Sequence, residues 1–214
     1  MKKRIMVADD HEIVRHGLRR LLEAQPDWEV CGEAESGRKA VEKARSLKPD
    51  VIVLDFAMPE LNGTEAARQI LKALPRTEII ILTMHDSEHL LREALELGVR
   101  GYVLKSDAMT DLVSAVHALL QHKSYLSPSV SGAVVDGFLR GSGNEGEQPD
   151  RLTPREREIV QLLTEGKSNK EVADSLNISV RTVEAHRANI MHKLNMTSFS
   201  DLVHFAIRNK IVEA

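Results

Sequence analysis

Val51-Ile52-Val53-Leu54-Asp55 places four consecutive apolar residues directly before a carboxylate. A short apolar run without polar alternation is typical of a strand that is buried on both faces of a parallel sheet. Similar runs occur elsewhere in the first half of the chain, each separated from the next by a helical pattern: Arg4–Ala8, Glu29–Ala34, Glu78–Thr83 and Gly101–Lys105. This alternation predicts an α/β fold, a doubly wound five-stranded parallel sheet with helices on both faces.

Polar residues end most of the predicted strands. They are Asp9 and Asp10 after the first strand, Asp55 at the third, Thr83 at the fourth and Lys105 at the fifth. In a doubly wound sheet, ligands bind outside the carboxyl ends of the strands, so these side chains are expected to converge. Three carboxylates in one place repel one another unless a cation lies among them, and a set of oxygen ligands suits Mg²⁺. The lysine and the hydroxyl suit a phosphoryl group, so the set predicts attack by a carboxylate on phosphorus.

Helical patterns alone follow residue 150. Capping signals predict the starts of four short helices, at Thr153-Pro154-Arg155-Glu156, Ser168-Asn169-Lys170-Glu171, Ser179 and Ser198-Phe199-Ser200-Asp201. Gly166 and Asn177 lie where helices are expected to end. Four compact helices within residues 151–214 match the size of a helix-turn-helix domain. Residues 123–150 are predicted to be a linker, because Gly141–Asp150 has nothing apolar to bury, with room for one short helix around Val130–Leu139.

The third of these helices has two chemically different faces. At about 100° per residue, Val183, Ile190 and Leu194 fall on one stripe, which is predicted to face the core of the domain. The opposite face combines small side chains with hydrogen-bonding ones, and its members are Arg181, Thr182, Glu184, Ala185, Ala188, Asn189 and His192. Such a face can approach the floor of a DNA major groove closely. A solvated helix face is the alternative interpretation, and the two capped helices that precede this one favour DNA contact.

Both parts of the chain resemble known families. Residues 1–122 resemble the flavodoxin-like receiver domain of response regulators, and the motifs are Asp9-Asp10, Asp55 with Met58-Pro59 and Gly63, Thr83, and Gly101-Tyr102-Val103-Leu104-Lys105. Residues 152–209 resemble a LuxR-type helix-turn-helix, and the motifs are Leu152-Thr153-Pro154-Arg155-Glu156, Lys167-Ser168-Asn169-Lys170-Glu171-Val172-Ala173 and Thr182-Val183-Glu184-Ala185-His186. Together they resemble response regulators of the NarL/FixJ type. This implies a two-component transcription regulator that a sensor histidine kinase phosphorylates, and that catalyses only its own phosphorylation and dephosphorylation.

The resemblance implies a role for each residue of the phosphorylation site. Asp55 is implied to be the phospho-acceptor, and Lys105 is implied to pair with the phosphate. Thr83 would supply the switch hydroxyl, and Tyr102 would be the aromatic switch. The implied ligands of Mg²⁺ or Mn²⁺ are Asp10, which binds directly, Asp55, the backbone carbonyl of Ala57, and Asp9, which acts mostly through water. Two positions depart from the family's pattern. Ser106 follows Lys105 where many receivers have a proline in a cis bond, which leaves the geometry of that bond open. Met84 is bulky where a small residue often follows the switch hydroxyl.

The resemblance also places the DNA contacts. The family's base contacts fall at Glu184, Ala185 and Ala188. Two alanines cannot donate or accept a hydrogen bond through their side chains, which leaves Arg181, Glu184, Asn189 or His192 to read polar base edges, and the candidates for phosphate contact are Lys167, Lys170, Thr182 and Lys193. Residues 151–214 carry 10 Lys and Arg against 8 Asp and Glu, a net charge of only +2, which predicts weak binding of double-stranded DNA by one domain. A homodimer formed on phosphorylation would compensate. The last helix offers Leu202, Phe205, Ala206 and Ile207, of which some must pack on the domain, and the predicted dimer contact residues are Leu202, Phe205 and Ala206.

Composition argues against several other classes of protein. No apolar run approaches the roughly 18 residues of a membrane span, and the single cysteine, Cys31, excludes an internal disulfide and a cysteine-based zinc site. A cytoplasmic protein is therefore expected. A haloacid-dehalogenase-like phosphatase also uses a carboxylate nucleophile with Mg²⁺, but it has a second aspartate two residues after the nucleophile, where this chain has Ala57. A stand-alone signalling adaptor is the other alternative, and the region Thr153–Lys193 argues against it.

Overall fold

A computed structural model of the chain describes residues 2–84, 87–130 and 152–212, apart from the side chains of Glu88 and His89. These residues form an N-terminal α/β unit and a C-terminal helical unit, which are described in turn. The predicted linker segment Gly141–Asp150, and all of the helix predicted around Val130–Leu139 except its first residue, lie outside the described residues. No helix in the described part of the chain is long and apolar enough to cross a membrane.

The N-terminal unit is built on a parallel sheet with the strand order β2-β1-β3-β4-β5-β6. Its strands are β1 (Lys3–Ala8), β2 (Trp28–Ala34), β3 (Val51–Asp55), β4 (Glu78–Thr83), β5 (Gly101–Leu104) and β6 (Tyr125–Leu126). The doubly wound parallel sheet is confirmed, and each of the five predicted strands lies within one residue of its predicted bounds. The described residues add one short strand to the five predicted, because β6 pairs with β5 through Gly101↔Tyr125 and Tyr102↔Leu126.

Helices cover both faces of this sheet. They are α1 (Glu12–Glu23), α2 (Gly37–Leu47), α3 (Gly63–Ala73), α4 (Glu88–Glu96) and α5 (Ala108–Leu120), with a short 3₁₀ turn at Lys105–Asp107. One face packs against α1 and α5 around a core that includes Val7, Leu22 and Val53. The helices α2 and α3 pack together over the opposite face. Since both faces are covered, the central strands are buried along their length, which explains their uninterrupted apolar sequence.

The strand order fixes the place of the site. The chain leaves β1 towards β2 on one side and returns to β3 on the other, so the order reverses between β1 and β3. These two strands pair in register as Ala8↔Leu54. Asp9 and Asp55, the residues that follow this last pair, therefore lie side by side in the crevice where doubly wound folds bind their ligands.

Residues 152–212 of the C-terminal unit form four helices, as predicted: α6 (Pro154–Thr164), α7 (Asn169–Leu176), α8 (Val180–Lys193) and α9 (Phe199–Arg208). Capping boxes begin α6, α7 and α9, and the hydroxyl of Ser179 accepts a hydrogen bond from Thr182 N at the start of α8. The turns after α6 and α7 place Gly166 at φ 90° and Asn177 at φ 52°, in the left-handed region that glycine and asparagine tolerate best. The predicted helix starts and ends are confirmed.

Candidate functional site

Lys105 joins the ends of two strands of the N-terminal unit. Its Nζ lies 2.8 Å from Asp9 Oδ2 and 2.8 Å from Asp55 Oδ2. The side chain of Asp9 is fully buried and that of Asp55 is 1% exposed, whereas Lys105 is 15% exposed. The predicted convergence of these residues is therefore present. One ammonium group is shared by two buried carboxylates that face the same space.

Thr83, Tyr102 and Ala57 lie on the strands that carry this cluster or directly after them. Asp55 pairs with Leu82 in the register of β3 and β4, so Thr83 lies one residue beyond it at the same edge of the sheet, where it is buried. Tyr102 is buried within β5, three residues before Lys105. The backbone N–H of Ala57 donates to Asp55 Oδ1 at 3.4 Å. Thr83 and Ala57 therefore lie at the edge of the sheet that carries Asp55, and Tyr102 lies within the strand that leads to Lys105.

The electrostatics of the site are unbalanced. Burial, together with the charge of Asp9, raises the pKa of Asp55 to about 7, although Lys105 and the N–H of Ala57 oppose the shift. Burial alone would lower the pKa of Lys105, but its hydrogen bonds to Asp55 and Asp9 raise the pKa above its ordinary value. One ammonium therefore does not fully compensate two buried carboxylates at neutral pH, and the site favours a further cation.

The side chains present fit a divalent metal ion. Asp9, Asp10 and Asp55 each offer a carboxylate oxygen, and His11 offers a ring nitrogen, with all four atoms within 4.8 Å of one another. Carboxylate oxygens are the ligands that Mg²⁺ and Mn²⁺ take in proteins. The raised pKa of Asp55 also supports a metal site, because a bound cation would supply the positive charge that the two buried carboxylates lack. The acidic cluster is thus compatible with a metal site.

His11 and Arg15 are members of the site that the sequence analysis did not identify. His11 Nδ1 lies 2.8 Å from Asp10 Oδ1, and the His11 N–H donates to Asp9 Oδ1 at 2.8 Å. Arg15 Nη1 donates to the backbone carbonyl of Asp9 at 2.7 Å. A signal for His11 was available, since it directly follows the paired aspartates at the strand end and precedes α1.

Gly63 allows the loop after Asp55 to fold back on its own strand. The Gly63 N–H donates to the carbonyl of Phe56 at 2.7 Å. A Cβ atom at this position would lie 2.3 Å from the backbone oxygen of Asp55 and 2.8 Å from Phe56 Cα. Only glycine permits this approach without displacing the backbone that carries Asp55. The glycine in the motif therefore positions the acidic residue.

The buried and exposed faces predicted for α8 are both present in the C-terminal unit. Val183 and Ile190 are buried, and Leu194 and Met191 pack at the edge of the same core. All residues predicted for the opposite face are exposed to solvent: Arg181, Thr182, Glu184, Ala185, Ala188, Asn189 and His192. Because α8 follows two capped helices, this face has the form of a helix that can enter a major groove.

Family models match both units of the chain. The family model of the response regulator receiver domain matches residues 5–117, and that of the bacterial regulatory proteins of the luxR family matches residues 150–206. The chain belongs to the response regulator family. It is a two-component response regulator of the NarL/FixJ type, in which a receiver is joined to a LuxR-type DNA-binding domain that serves transcription regulation.

Several relatives of this response regulator match along nearly its whole length. Oxygen regulatory protein NreC of Staphylococcus carnosus is 39% identical over 98% of this chain and 99% of its own. Transcriptional regulatory protein LiaR of Bacillus subtilis is 39% identical over the same shares. Among solved structures, a complex of RcsB with DNA is 30% identical with a TM-score of 0.59, covering 96% of this chain and 98% of that one. Another structure, of two RcsB dimers bound to two parallel DNAs, has the same values.

The two departures of this response regulator from the receiver pattern have simple structural outcomes. The peptide bond between Lys105 and Ser106 is trans, like every other bond in the described residues. Met84 is 67% exposed, so most of its side chain faces solvent rather than the crevice. Neither departure disturbs the contacts of Lys105 with the two aspartates.

The three lysines among the candidate phosphate contacts of this response regulator fall into two groups. Lys167 and Lys170 line a pocket of about 450 Å³ together with Arg187 and Phe199, and the Arg187 guanidinium lies 5.4 Å from the centre of the Phe199 ring. Lys193, by contrast, lies 2.8 Å from the carboxylate of Glu156 in the first capping box. Lys193 therefore stabilises the domain here, and its contact with DNA remains a prediction.

The predicted dimer residues of the last helix require a correction. Leu202 and Ala206 are fully buried in the core of the C-terminal unit, where they pack with Ile159 and Ile211. Since α9 packs against α6, these two side chains cannot reach a second copy without opening the core. Phe205 is partly buried and is the one predicted dimer residue that keeps exposed surface.

Proposed function

We propose that phosphorylation of Asp55 promotes a homodimer of this response regulator that binds two half-sites on DNA. The donor is a sensor histidine kinase, as the family implies. The observation that carries the proposal is the sharing of Lys105 between two buried carboxylates, Asp9 and Asp55, in a receiver domain. A new charge on Asp55 must change the partners of Lys105, and this provides the local event on which a switch depends.

Asp55 acts as the nucleophile. One carboxylate oxygen attacks phosphorus, the bond between phosphorus and the donor's imidazole nitrogen breaks, and the imidazole leaves with the electron pair. Lys105, which already contacts Asp55, donates to an oxygen of the transferred group, and the hydroxyl of Thr83 donates to another. A Mg²⁺ or Mn²⁺ ion held by Asp10, Asp55, Asp9 through water, and the carbonyl of Ala57 would offset the phosphoryl charge.

The DNA-binding step relies on the exposed face of α8. Glu184, Ala185 and Ala188 are the proposed base contacts, with the two alanines suited to thymine methyl groups. Lys167 and Lys170 are exposed or partly exposed beside the start of α7, where a phosphate group can also accept hydrogen bonds from helix N–H groups. Because the domain carries a net charge of only +2, two copies on one DNA are needed for tight binding. The RcsB structures with DNA, and with dimers on DNA, support this arrangement.

Phosphoryl labelling tests the acceptor. Wild-type protein incubated with acetyl phosphate and Mg²⁺ should gain one acid-stable, base-labile phosphoryl group, and Asp55→Asn should gain none. Asp10→Ala should need more Mg²⁺ for the same labelling. Glu42→Gln is the control, because it removes one exposed carboxylate outside the site. Full labelling of the Asp55→Asn variant would disprove the assignment.

Sedimentation and DNA selection test the consequence. The phosphorylated protein should sediment as a dimer and enrich two-half-site sequences from a random DNA pool, whereas the unphosphorylated protein should do so weakly. If the protein is the same monomer before and after phosphorylation, also when bound to DNA, then the two-half-site proposal fails. An adaptor that works only through protein contacts would enrich no DNA at all.

A further inference from the structure

A ring nitrogen lies among the carboxylates of the acidic cluster. His11 Nδ1 is 2.8 Å from Asp10 Oδ1 and 3.3 Å from Asp9 Oδ1. The residue is held in this place by its backbone, because its N–H donates to Asp9 Oδ1 and it forms the N-cap of α1. The proposed functions of Asp9, Asp10 and Asp55 do not use this imidazole.

The cluster therefore offers a mixed set of donors. Asp9 and Asp55 are buried, whereas the side chains of Asp10 and His11 are 34% and 67% exposed. All four ligand atoms lie within 4.8 Å of one another, which is the spacing of groups that can share one ion. The exposed members combine one carboxylate with one imidazole. An all-oxygen site would have only carboxylates, carbonyls and water at these positions.

We propose that His11 is a direct ligand for divalent transition metals at this site and sets its preference among metal ions. The inference rests on the metal site of the proposed function and adds to it a nitrogen ligand. Mg²⁺ is a hard ion that keeps oxygen ligands and water, so an imidazole contributes little to its binding. Ions such as Co²⁺, Ni²⁺ and Zn²⁺ accept imidazole readily, and their affinity for mixed nitrogen and oxygen sites exceeds that of Mn²⁺. The site thus selects these ions over Mg²⁺.

A purely structural role for His11 leads to different observations. In that case the imidazole would only pair with Asp10, and its removal would affect all divalent ions alike or none of them. Direct ligation instead places a nitrogen nucleus in contact with the bound ion. Pulsed electron paramagnetic resonance detects such a nucleus on Mn²⁺ by its modulation of the echo, independently of any phosphorylation.

The experiment uses the full chain and four proteins: wild type, His11→Ala, His16→Ala and Asp10→Ala. His16 is an exposed histidine of the same helix outside the cluster, so its replacement is the matched control. Asp10→Ala identifies the ion at this site, because only the signal of an ion bound there should be lost in this variant. This control is needed because the chain has nine histidines, and others among them could bind metals elsewhere. Calorimetric titrations with Ni²⁺ and with Mg²⁺ give the ratio of the two affinities, and the circular dichroism of each variant verifies its fold.

The expected result is a nitrogen modulation of the Mn²⁺ echo in the wild type and in His16→Ala, and its absence in His11→Ala. The ratio of Ni²⁺ to Mg²⁺ affinity should fall at least about tenfold in His11→Ala, since even the partners of a metal ligand contribute about 10- to 100-fold. An unchanged ratio, or no nitrogen modulation on the Asp10-dependent ion, would overturn the inference. Labelling of the wild-type protein on Asp55 in Mg²⁺ tests the proposed function independently of His11. If this labelling occurs, the proposed function stands even when the inference about His11 fails; if it does not occur, the proposed function fails.

Discussion

Replacement of Asp55 by asparagine tests the charge imbalance of the site through the stability of the N-terminal unit. The side chain is 1% exposed and shares Lys105 with Asp9. Asparagine keeps the shape of the carboxyl group and can still accept a hydrogen bond from Lys105, but it carries no charge. The variant therefore resembles the wild-type protein with Asp55 protonated.

The size of the effect follows from the pKa of Asp55. In the metal-free folded protein, burial and the charge of Asp9 raise this pKa to about 7, compared with about 3.9 in an unfolded chain. The folded state thus binds this proton more tightly, so the contribution of Asp55 to the free energy of unfolding is most favourable below about pH 4 and falls as the pH rises to about 7. At about 1.4 kcal/mol per pH unit, the fall amounts to about 4 kcal/mol. Above pH 7, Asp55→Asn should be more stable than the wild type by up to this amount.

Trp28 provides the assay, because it is the only tryptophan of the chain and is 3% exposed in the core of the N-terminal unit. Urea unfolding followed by its fluorescence, in EDTA at pH 8, should show a midpoint about 2 M higher in Asp55→Asn, for a slope of about 2 kcal/mol per molar. The gain should be smaller at pH 5. Added Mg²⁺ should reduce it by stabilising the folded wild type.

Glu42→Gln is the control for the loss of one carboxylate on an exposed helix surface, and it should change stability by less than about 0.5 kcal/mol. Equal stability of Asp55→Asn and wild type at pH 8 in EDTA, or a less stable variant, would refute the reasoning. It would mean that Lys105 alone compensates both buried carboxylates.

Three further changes test other parts of the chain. The side chain of Ala57 has no polar group that could orient a water molecule for hydrolysis, so phospho-Asp55 should last many minutes. Ala57→Asn should shorten this lifetime in a label-release assay, and an unchanged lifetime would contradict the prediction. Gly63→Ala forces a Cβ against the backbone oxygen of Asp55 and should lower the stability measured by Trp28 fluorescence by about 1–3 kcal/mol; an unchanged stability would contradict this. Ser168→Ala removes the capping bond to Glu171 N, so it should cost the helical unit about 1 kcal/mol in urea unfolding followed by circular dichroism; no loss would show that the box is not needed.

The strands and the site at their ends could be predicted because both depend on local sequence. Val51–Leu54 is apolar throughout because both faces of β3 are covered, and this leaves a clear pattern. The carboxyl ends of parallel strands lie at one edge, so Asp9, Asp55 and Lys105 could be placed together from strand positions alone. In a capping box such as Thr153 with Glu156, each side chain accepts a hydrogen bond from the backbone N–H of the other residue, within four residues of sequence. Such boxes can therefore also be predicted from local sequence.

Other features depend on contacts that leave no local pattern. The strand β6 has two residues, too few for any periodicity, and it exists because β5 offers a free edge. The pairing of Lys193 with Glu156 joins residues that are far apart in the chain. Leu202 and Ala206 were predicted at a dimer contact because they are apolar on the last helix. The same property also suits the core of the domain, which they in fact complete.

The position of β6 connects the phosphorylation site with the segment that leaves the N-terminal unit. Tyr102 pairs with Leu126, and its carbonyl accepts a hydrogen bond from Ser127 N at 3.0 Å. Two residues further on, Ser129 Oγ donates at 2.9 Å to Asp107, which lies in the turn that begins with Lys105. Lys105 therefore belongs to the same strand and turn that hold the described chain up to residue 130. If phosphorylation of Asp55 changes the partners of Lys105 as proposed, we expect the change to reach this attachment first, through hydrogen bonds that are individually weak.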